Sequence, residues 1–313
     1  MRRRSFVFGA VMGSVSFRAL GLDRALAATS VRSDEDRRRK AIESFPFELV
    51  ETNGRESLAT WERLRAEGRG SPVVLGNVED VARVTPLESQ PPRPGLESVP
   101  NLVEKADGLS HPEDLRSFFK LQRAQAMAVL LSLRQSEAKP SSGGLTISRP
   151  DGTLHLSFEE AIEYFLENMK EAPEPEIGPW PDRPPASAGL SVARDTLSDQ
   201  PFDKVYVAVV PTEDWTIIPI HLRWGGWNDC PPAEYHVAAL RSWRDRYGAE
   251  LVGLSLDVMN LRVAERPGTR ADALALAREH YDYCYDIVDQ GVGTLSQLAA
   301  ALMADDWWYF WWD

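Results

Sequence analysis

Tryptophan is concentrated at one end of this 313-residue chain. Eight of the ten tryptophans fall in the last third: Trp215, Trp224, Trp227, Trp243, Trp307, Trp308, Trp311 and Trp312. An indole buries a large apolar area, and its N–H needs a partner when it is buried. A segment this rich in indole folds around an aromatic core or lines an aromatic groove for a partner. We predict a Trp-rich C-terminal domain over residues 204–313.

The last strand of that domain is predicted over residues 307–312, and both of its faces are apolar. Side chains alternate along a strand, which divides the aromatic residues into two sets: Trp307, Tyr309 and Trp311, and Trp308, Phe310 and Trp312. Such a strand lies either in the middle of a sheet or at an adhesive exposed edge. Burial in the core is the favoured interpretation, and an aromatic groove is the alternative.

Hydrophobic periodicity predicts strands and helices in alternation. Strands are predicted over residues 45–50, 71–76, 205–210, 217–224 and 251–263, with a hairpin over 147–156. Helices are predicted over residues 112–134, 158–169, 232–247, 270–290 and 294–304, with a short helix capped by Asn77. The pattern indicates an α/β or α+β fold, a mixed sheet with flanking helices.

Proline marks the boundaries of the regions. Seven prolines lie between residues 172 and 203, and proline cannot donate a backbone hydrogen bond to a sheet. This segment is predicted to be a stiff linker or a long surface loop, and residues 86–100 a second proline-rich loop. The remaining chain divides into an N-terminal α/β or α+β region over residues 29–171 and the C-terminal domain over 204–313.

Residues 1–28 have the features of a twin-arginine export signal. Arg3-Arg4-Ser5-Phe6 matches the paired-arginine motif, an apolar stretch follows to Phe17, and Ala25-Leu26-Ala27 provides small residues for cleavage. Charges at Arg18, Asp23 and Arg24 interrupt the usual smooth pattern. Two locations therefore stay open, export by the twin-arginine route and the cytoplasm. No other segment is apolar for long enough to predict a stable membrane span.

The chain is acidic, with 35 Lys and Arg against 47 Asp and Glu and a net charge of −12. Residues 203–313 contain nine of these basic residues and seventeen of the acidic ones, a net charge of −8. A protein that binds the phosphate backbone needs clustered cations, so nucleic acid is excluded as the expected partner. A protein partner or a small ligand is expected instead.

Two cysteines and two histidines suggest three alternative arrangements in the C-terminal domain. Cys230, His236, His280 and Cys284 supply the donor types of a tetrahedral zinc site, although their spacing matches no familiar zinc finger. A Cys230–Cys284 disulfide is the second alternative if the chain is exported. In the third, these residues simply pack in the core, where free cysteine is common. No cofactor is predicted beyond that possible zinc.

Cys230 also lies just before a predicted helix, where the partial positive charge of the helix N-terminus favours a thiolate. His236 is one turn further and is the candidate base, with Asp229 beside them. A carboxylate stripe on a later helix offers acid–base or cation chemistry or a solvated face. It comprises Glu279, Asp282, Asp286 and Asp289.

Four motifs in fixed order support a family resemblance over residues 204–313. They are Trp224-Gly225-Gly226-Trp227-Asn228-Asp229-Cys230-Pro231, Trp243-Arg244-Asp245-Arg246-Tyr247-Gly248-Ala249-Glu250, Tyr283-Cys284-Tyr285-Asp286-Ile287-Val288-Asp289-Gln290-Gly291, and Trp308-Tyr309-Phe310-Trp311-Trp312-Asp313. This segment resembles the uncharacterised bacterial family called domain of unknown function 4253. The resemblance implies a recurrent bacterial domain of actinobacteria-like genomes without known activity, and it favours a cytoplasmic setting. It implies nothing about residues 1–203.

Two functional hypotheses follow. The first is a non-catalytic acidic binding module that makes contact through Trp215, Trp224, Trp227, Asn228, Asp229 and Glu234, because loops often carry function. The alternative is a thiol- or metal-dependent hydrolase with a small pocket around Asp229, Cys230 and His236. An open cleft at which these three side chains converge would favour the enzyme, and a Trp-filled centre would favour the module.

Overall fold

The computed structural model describes residue 36 and residues 38–84, 97–135, 144–149, 152–168 and 174–312. Three predictions lie wholly or mostly outside these residues: the export signal over 1–28, most of the loop over 86–100, and the hairpin turn at 150–151.

The described chain contains a mixed six-stranded sheet and a separate two-stranded hairpin, which confirms the predicted fold class. The strands of the large sheet are β1 (Glu48–Thr52), β2 (Ser71–Gly76), β5 (Val205–Val210), β6 (Glu250–Leu254), β7 (Val258–Arg262) and β8 (Trp307–Trp311). The hairpin consists of β3 (Gly144–Arg149) and β4 (Gly152–Ser157). The order across the large sheet is β1-β5-β2-β6-β7-β8. Only the β2–β6 pair within it is parallel.

Helices pack on both faces of the sheet. The described chain contains the helices α1 (Ser57–Glu67), α2 (Val78–Arg83), α3 (Val99–Asp107), α4 (Glu113–Gln135), α5 (Phe158–Asn168), α6 (Ile218–Leu222), α7 (Ala233–Tyr247), α8 (Arg270–Tyr283) and α9 (Leu295–Ala304), of which α5 packs on α4 and the hairpin. On one face, Trp61 and Leu64 of α1 pack against Val74, Val207 and Val209. The opposite face carries the larger core, to which α7, α8 and α9 contribute.

The sheet is built from both sides of the proline-rich segment. Strand β5 lies between β1 and β2 and pairs antiparallel with both. All six residues of β5 are buried, as expected for a Val-rich strand covered on both faces. The predicted boundary at residues 172–203 therefore does not divide the sheet.

The described part of the proline-rich segment packs against that sheet. Val192 and Ala193 are 4% and 1% exposed. Asn260 Oδ1 in β7 accepts hydrogen bonds from the Val192 backbone N–H (3.1 Å) and the Ser191 hydroxyl (3.2 Å). The Asn260 side chain is itself fully buried. Its polar atoms thus join the segment to strand β7 of the sheet.

Three predicted elements differ from the structure. Residues 217–224 form no strand: a 3₁₀ turn (Trp215–Ile217) leads into α6, with Pro219 in its first turn. A short apolar run fits a buried helix as well as a buried strand. Residues 251–263 form two antiparallel strands rather than one. The predicted helix over 270–290 ends at Tyr283, because Cys284 is extended, and a π-helical turn (Ile287–Val292) follows.

Strand β8 combines features of both predicted placements. It is the edge strand of the sheet and pairs with β7. Trp308, Phe310 and Trp312 are at most 2% exposed, whereas Trp307, Tyr309 and Trp311 are half-buried. One aromatic face therefore enters the core, and the other is partly covered.

The predicted aromatic core is centred on Trp243 of α7. Its ring lies parallel to Phe310 at 5.2 Å and meets Tyr283 and Trp308 edge-on, both favourable aromatic geometries. Trp243 Nε1 donates to Glu279 Oε1 at 2.5 Å. The indole is fully buried and still hydrogen-bonded.

Glu279 joins three parts of the fold. Its carboxylate accepts hydrogen bonds from Trp243, from His111 Nε2 (3.1 Å), just before α4, and from Arg246 in α7. Burial alone raises the pKa of this carboxyl, but the donors His111 and Arg246 outweigh burial and hold it at about 2. A charged carboxylate thus persists inside the fold.

Among the helices of the described residues, none is both long and apolar enough to cross a membrane.

We predict that Asn260→Ala destabilises the protein by about 1–3 kcal/mol, because it leaves the buried Val192 N–H without an acceptor. Urea unfolding measures this loss, with Asn101→Ala on the exposed side of α3 as the control. Equal stabilities of the two variants would contradict the proposed attachment of the proline-rich segment.

We also predict that Glu279→Gln destabilises the protein by about 2–4 kcal/mol at pH 7. The folded pKa lies below the ordinary 4.5, so the benefit of the charge is complete above pH 4.5 and is lost as pH falls toward 2. The difference between wild type and Glu279→Gln should shrink across that window in chemical denaturation. Asp282→Asn, whose carboxylate pairs with Arg116 nearer the surface, should cost under about 1 kcal/mol.

Candidate functional site

The candidate site lies at one end of the strands of the large sheet, called here the carboxyl edge. Strands β1, β2, β6 and β8 all end there, and β5 and β7 begin there. The loops at the carboxyl ends of parallel strands, here β2 and β6, commonly carry ligand sites. Trp224 Nε1 donates to the Ser255 carbonyl at 2.6 Å, just after β6. This bond brings the segment after α6 to the carboxyl edge.

That segment makes a tight loop, Gly225–Asp229, called here the Gly-Gly loop. Gly225, Gly226 and Asn228 all have positive φ (105°, 80° and 46°), which glycine and asparagine tolerate best. The Gly226 N–H bonds to the Pro231 carbonyl at 2.9 Å, and the Cys230 N–H to the Trp227 carbonyl at 2.8 Å. The two glycines turn the chain outward, and Pro231 returns it to α7.

The loop displays part of the predicted contact set. Gly226 and Asn228 are exposed, and Trp227 and Asp229 are half-buried. Trp224 is only 3% exposed and meets Trp227 edge-on at 5.0 Å. The geometry makes Trp224 a support for the loop, whereas Trp227, Asn228 and Asp229 face outward at least in part.

The other two predicted contact residues lie on neighbouring elements. Trp215 is half-buried in the 3₁₀ turn before α6. Glu234 lies in the first turn of α7 and lines a separate open cleft of about 660 Å³. The walls of this cleft also include Glu97, Glu104 and Tyr235.

Asp229 is the most perturbed residue of the loop. The Tyr285 hydroxyl donates a hydrogen bond to its Oδ2. Burial and the adjacent charge of Asp286, itself 4% exposed, raise the pKa of Asp229 to about 6, against the opposing effects of Tyr285 and Arg123. Perturbed carboxyl groups of this kind are more frequent at functional sites.

Two more carboxylates, Asp80 and Asp257, lie at the carboxyl edge, and neither is among the predicted site residues. Asp80 belongs to the capping box of α2, where its Oδ2 accepts from the Asn77 N–H at 2.9 Å. Burial, together with the charge of Asp257, raises the pKa of Asp80 to about 6. Asp257 Oδ2 accepts from Trp311 Nε1 at 3.2 Å. The sequence Asn77-x-x-Asp80 could have been recognised as a cap, but its proximity to Asp257 depends on the β2–β6 pairing.

Cys230 and His236 are adjacent beneath the Gly-Gly loop. Cys230 Sγ lies 3.4 Å from His236 Nε2, and His236 Nδ1 lies 2.5 Å from the Tyr283 hydroxyl. Cys230 is 3% exposed and His236 is fully buried. Burial raises the pKa of the thiol and lowers that of His236 to about 3.

The surroundings of this pair are aromatic. The rings of Trp224 and Trp312 lie 4.7 Å and 5.6 Å from the His236 ring. Asp229 is bonded to Tyr285 instead of joining Cys230 and His236. In this structure Asp229 thus does not converge with Cys230 and His236, and the rings of Trp224 and Trp312 pack around that pair.

The four predicted zinc donors do not converge. His280 packs against Trp308 and Phe310 at 4.5 and 4.8 Å, and Cys284 Sγ donates to the Trp311 carbonyl at 2.9 Å. The described residues contain no group of three or more His, Cys, Asp or Glu placed to hold a metal ion. Both cysteines are free thiols, so the disulfide alternative is not formed.

The predicted carboxylate stripe on α8 is also divided among separate contacts. Glu279 accepts from its three donors, and Asp282 pairs with Arg116 at 2.7 Å. Asp286 is buried beyond the end of the helix, and Asp289 accepts from the Tyr281 hydroxyl at 3.2 Å. These groups do not form a shared cation site or a single solvated face.

Comparison with known proteins confirms the resemblance over the C-terminal segment. Residues 206–313, about a third of the chain, match the sequence model of the family described as domain of unknown function (DUF4253). No curated protein and no solved structure matches the chain. The matched segment contains the Gly-Gly loop, Cys230, His236 and strands β6–β8, while β1 and β2 lie outside it.

We predict that the free energy of unfolding of Asp229→Asn increases relative to that of wild type as pH rises from about 4 to 7. The folded pKa of about 6 lies above the ordinary 3.8, so wild type loses stability as pH rises through this window. The relative change should be about 1–3 kcal/mol. Urea unfolding of both proteins at several pH values tests this, and a constant difference would contradict it.

Proposed function

We propose that the C-terminal segment is a non-catalytic acidic binding module, and that the Gly-Gly loop binds a Lys- or Arg-rich segment of a protein partner. The observation that carries the proposal is the arrangement at the loop tip. A partly exposed indole, Trp227, is two residues away in sequence from the carboxylate of Asp229, on a loop that Gly225 and Gly226 turn outward.

Charge and ring chemistry both favour a cationic partner. Asp286 lies behind Asp229, and their combined negative charge attracts an ammonium or guanidinium group. The face of the Trp227 ring adds a cation–π contribution of about 0.5–1 kcal/mol at an exposed site. The net charge of −8 over residues 203–313 gives long-range attraction in the same direction.

The buried state of Cys230 and His236 favours the module over a hydrolase. A thiol nucleophile needs thiolate character and access to substrate. Burial works against both here, since it raises the pKa of the thiol and leaves Cys230 only 3% exposed.

The test is the binding of fluorescein-labelled octalysine and octaglutamate to the full chain, measured by anisotropy at pH 7. We expect octalysine alone to bind, with an affinity that falls as salt increases. Trp227→Ala and Asp229→Asn should each weaken binding about fivefold or more, since each removes roughly 1 kcal/mol.

Glu213→Gln is the matched control, because Glu213 is an exposed carboxylate outside the loop. The proposal is overturned if octalysine does not bind, or if Glu213→Gln weakens binding as much as Asp229→Asn does.

A further inference from the structure

The Gly-Gly loop lies directly on the Cys230–His236 pair. A Cβ atom on Gly225 would stand 2.2 Å from the Pro231 carbonyl oxygen and 2.7 Å from His236 Nε2. Only a residue without a side chain fits between the loop and the imidazole. At Gly226, in contrast, a Cβ would meet nothing within 4 Å. The loop is thus tightly seated at one glycine and open to solvent at the next.

We propose that the Gly-Gly loop is a lid over a latent thiol-modification site, in which Cys230 is the nucleophile and His236 its base, and that release of Asp229 from Tyr285 opens it. The site would take a small, soft, uncharged electrophile. This inference concerns what lies beneath the loop and does not depend on the cationic partner proposed above.

Two side-chain contacts hold the lid closed, in addition to the backbone bond from the Gly226 N–H to the Pro231 carbonyl. The Tyr285 hydroxyl bonds to Asp229 at one end of the loop, and Trp227 packs edge-on against the buried Trp224. Behind Asp229, the buried carboxylate of Asp286 opposes its negative charge. The closed position therefore combines an attractive hydrogen bond with a repulsive charge, so loss of the hydrogen bond alone favours opening.

The three side chains beneath the lid have the order of a nucleophile, a base and an orienting group. The Tyr283 hydroxyl donates to Met259 Sδ at 3.6 Å, which leaves its oxygen to accept from His236 Nδ1. His236 Nε2 lies 3.4 Å from the sulfur and near the Pro231 carbonyl, and it accepts the Cys230 thiol proton in the tautomer that carries its own proton on Nδ1. Solvent that enters on opening removes the burial that raises the pKa of the thiol.

The reaction with a test electrophile, iodoacetamide, is balanced with these groups alone. The sulfur attacks the methylene carbon, a C–S bond forms, and the C–I bond breaks with release of iodide. The thiol proton passes to His236 Nε2 and then to solvent. Asp229 and Asp286 surround the opening with negative charge, so neutral iodoacetamide should react faster than anionic iodoacetate.

The experiment measures alkylation of each cysteine in the native full chain by peptide mass spectrometry. Cys284 is the internal control, because it is 1% exposed and lies outside the lid. We expect slow labelling of both thiols in wild type. Tyr285→Phe and Gly225→Ala should each accelerate Cys230 labelling at least tenfold and leave Cys284 unchanged.

Asp229→Asn is the matched comparison, because an asparagine side chain still accepts the Tyr285 hydrogen bond and removes the repulsion with Asp286. In this variant Cys230 should react no faster than in wild type. The lid is overturned if Tyr285→Phe leaves Cys230 unreactive, or if Cys230 and Cys284 accelerate together, which would indicate unfolding of the whole domain. If octalysine fails to bind but Tyr285→Phe still accelerates Cys230 labelling, only the proposed function is refuted.

The role of His236 is tested in the Tyr285→Phe background. Addition of His236→Gln should slow Cys230 alkylation about tenfold and move its pH profile toward that of an ordinary thiol. Tyr283→Phe keeps the ring and removes only the hydroxyl, so it should shift the same profile in a protein that retains its packing. An unchanged profile in both variants would exclude His236 as the base.

Discussion

The hydrogen bond from the Trp243 indole to the Glu279 carboxylate supports most of this structure. Trp243 stacks on Phe310 of the edge strand, and Glu279 also binds His111 and Arg246. One buried carboxylate thereby joins the helices behind the sheet to the region before α4. An indole needs a partner for its N–H when buried, and a carboxylate needs several donors. The carboxylate accepts the indole N–H, and the indole supplies one of the donors that the carboxylate needs. The aromatic core packs around this pair.

Much of the local structure was predictable, because it depends on neighbours in sequence. Asn77 caps α2, Gly248 ends α7 in the left-handed conformation, and the strand at residues 205–210 has the predicted bounds. The neighbours of that strand could not be predicted. Glu48 pairs with Val209 across 160 intervening residues, and no periodicity in one sequence indicates such a partner. For the same reason, the proline-rich segment that precedes β5 gives no indication that β5 lies between β1 and β2.

At the candidate site, several residues could be recognised from the sequence, but most of their contacts could not. The proximity of the Cys230 thiol and the His236 imidazole could be predicted, because His236 follows Pro231 by about one helical turn. Their enclosure by Trp224 and Trp312 depends on the packing of β8 and is not visible in spacing. The hydrogen bond from the Tyr285 hydroxyl to Asp229 could not be predicted either, because 55 residues separate the two in sequence. Asp80 was missed because its role depends on the parallel pairing of β2 with β6.

The position of β5 between β1 and β2 constrains the order in which a nascent chain can assemble. The two outer strands leave the ribosome well over a hundred residues before the strand that must fit between them. Until then, both present unpaired backbone edges, which are open to pairing with other chains. Folding of the sheet is therefore delayed until late in synthesis and is slow for its size. Protection of those early edges, for example by α1, then becomes a requirement for the chain to fold without aggregation.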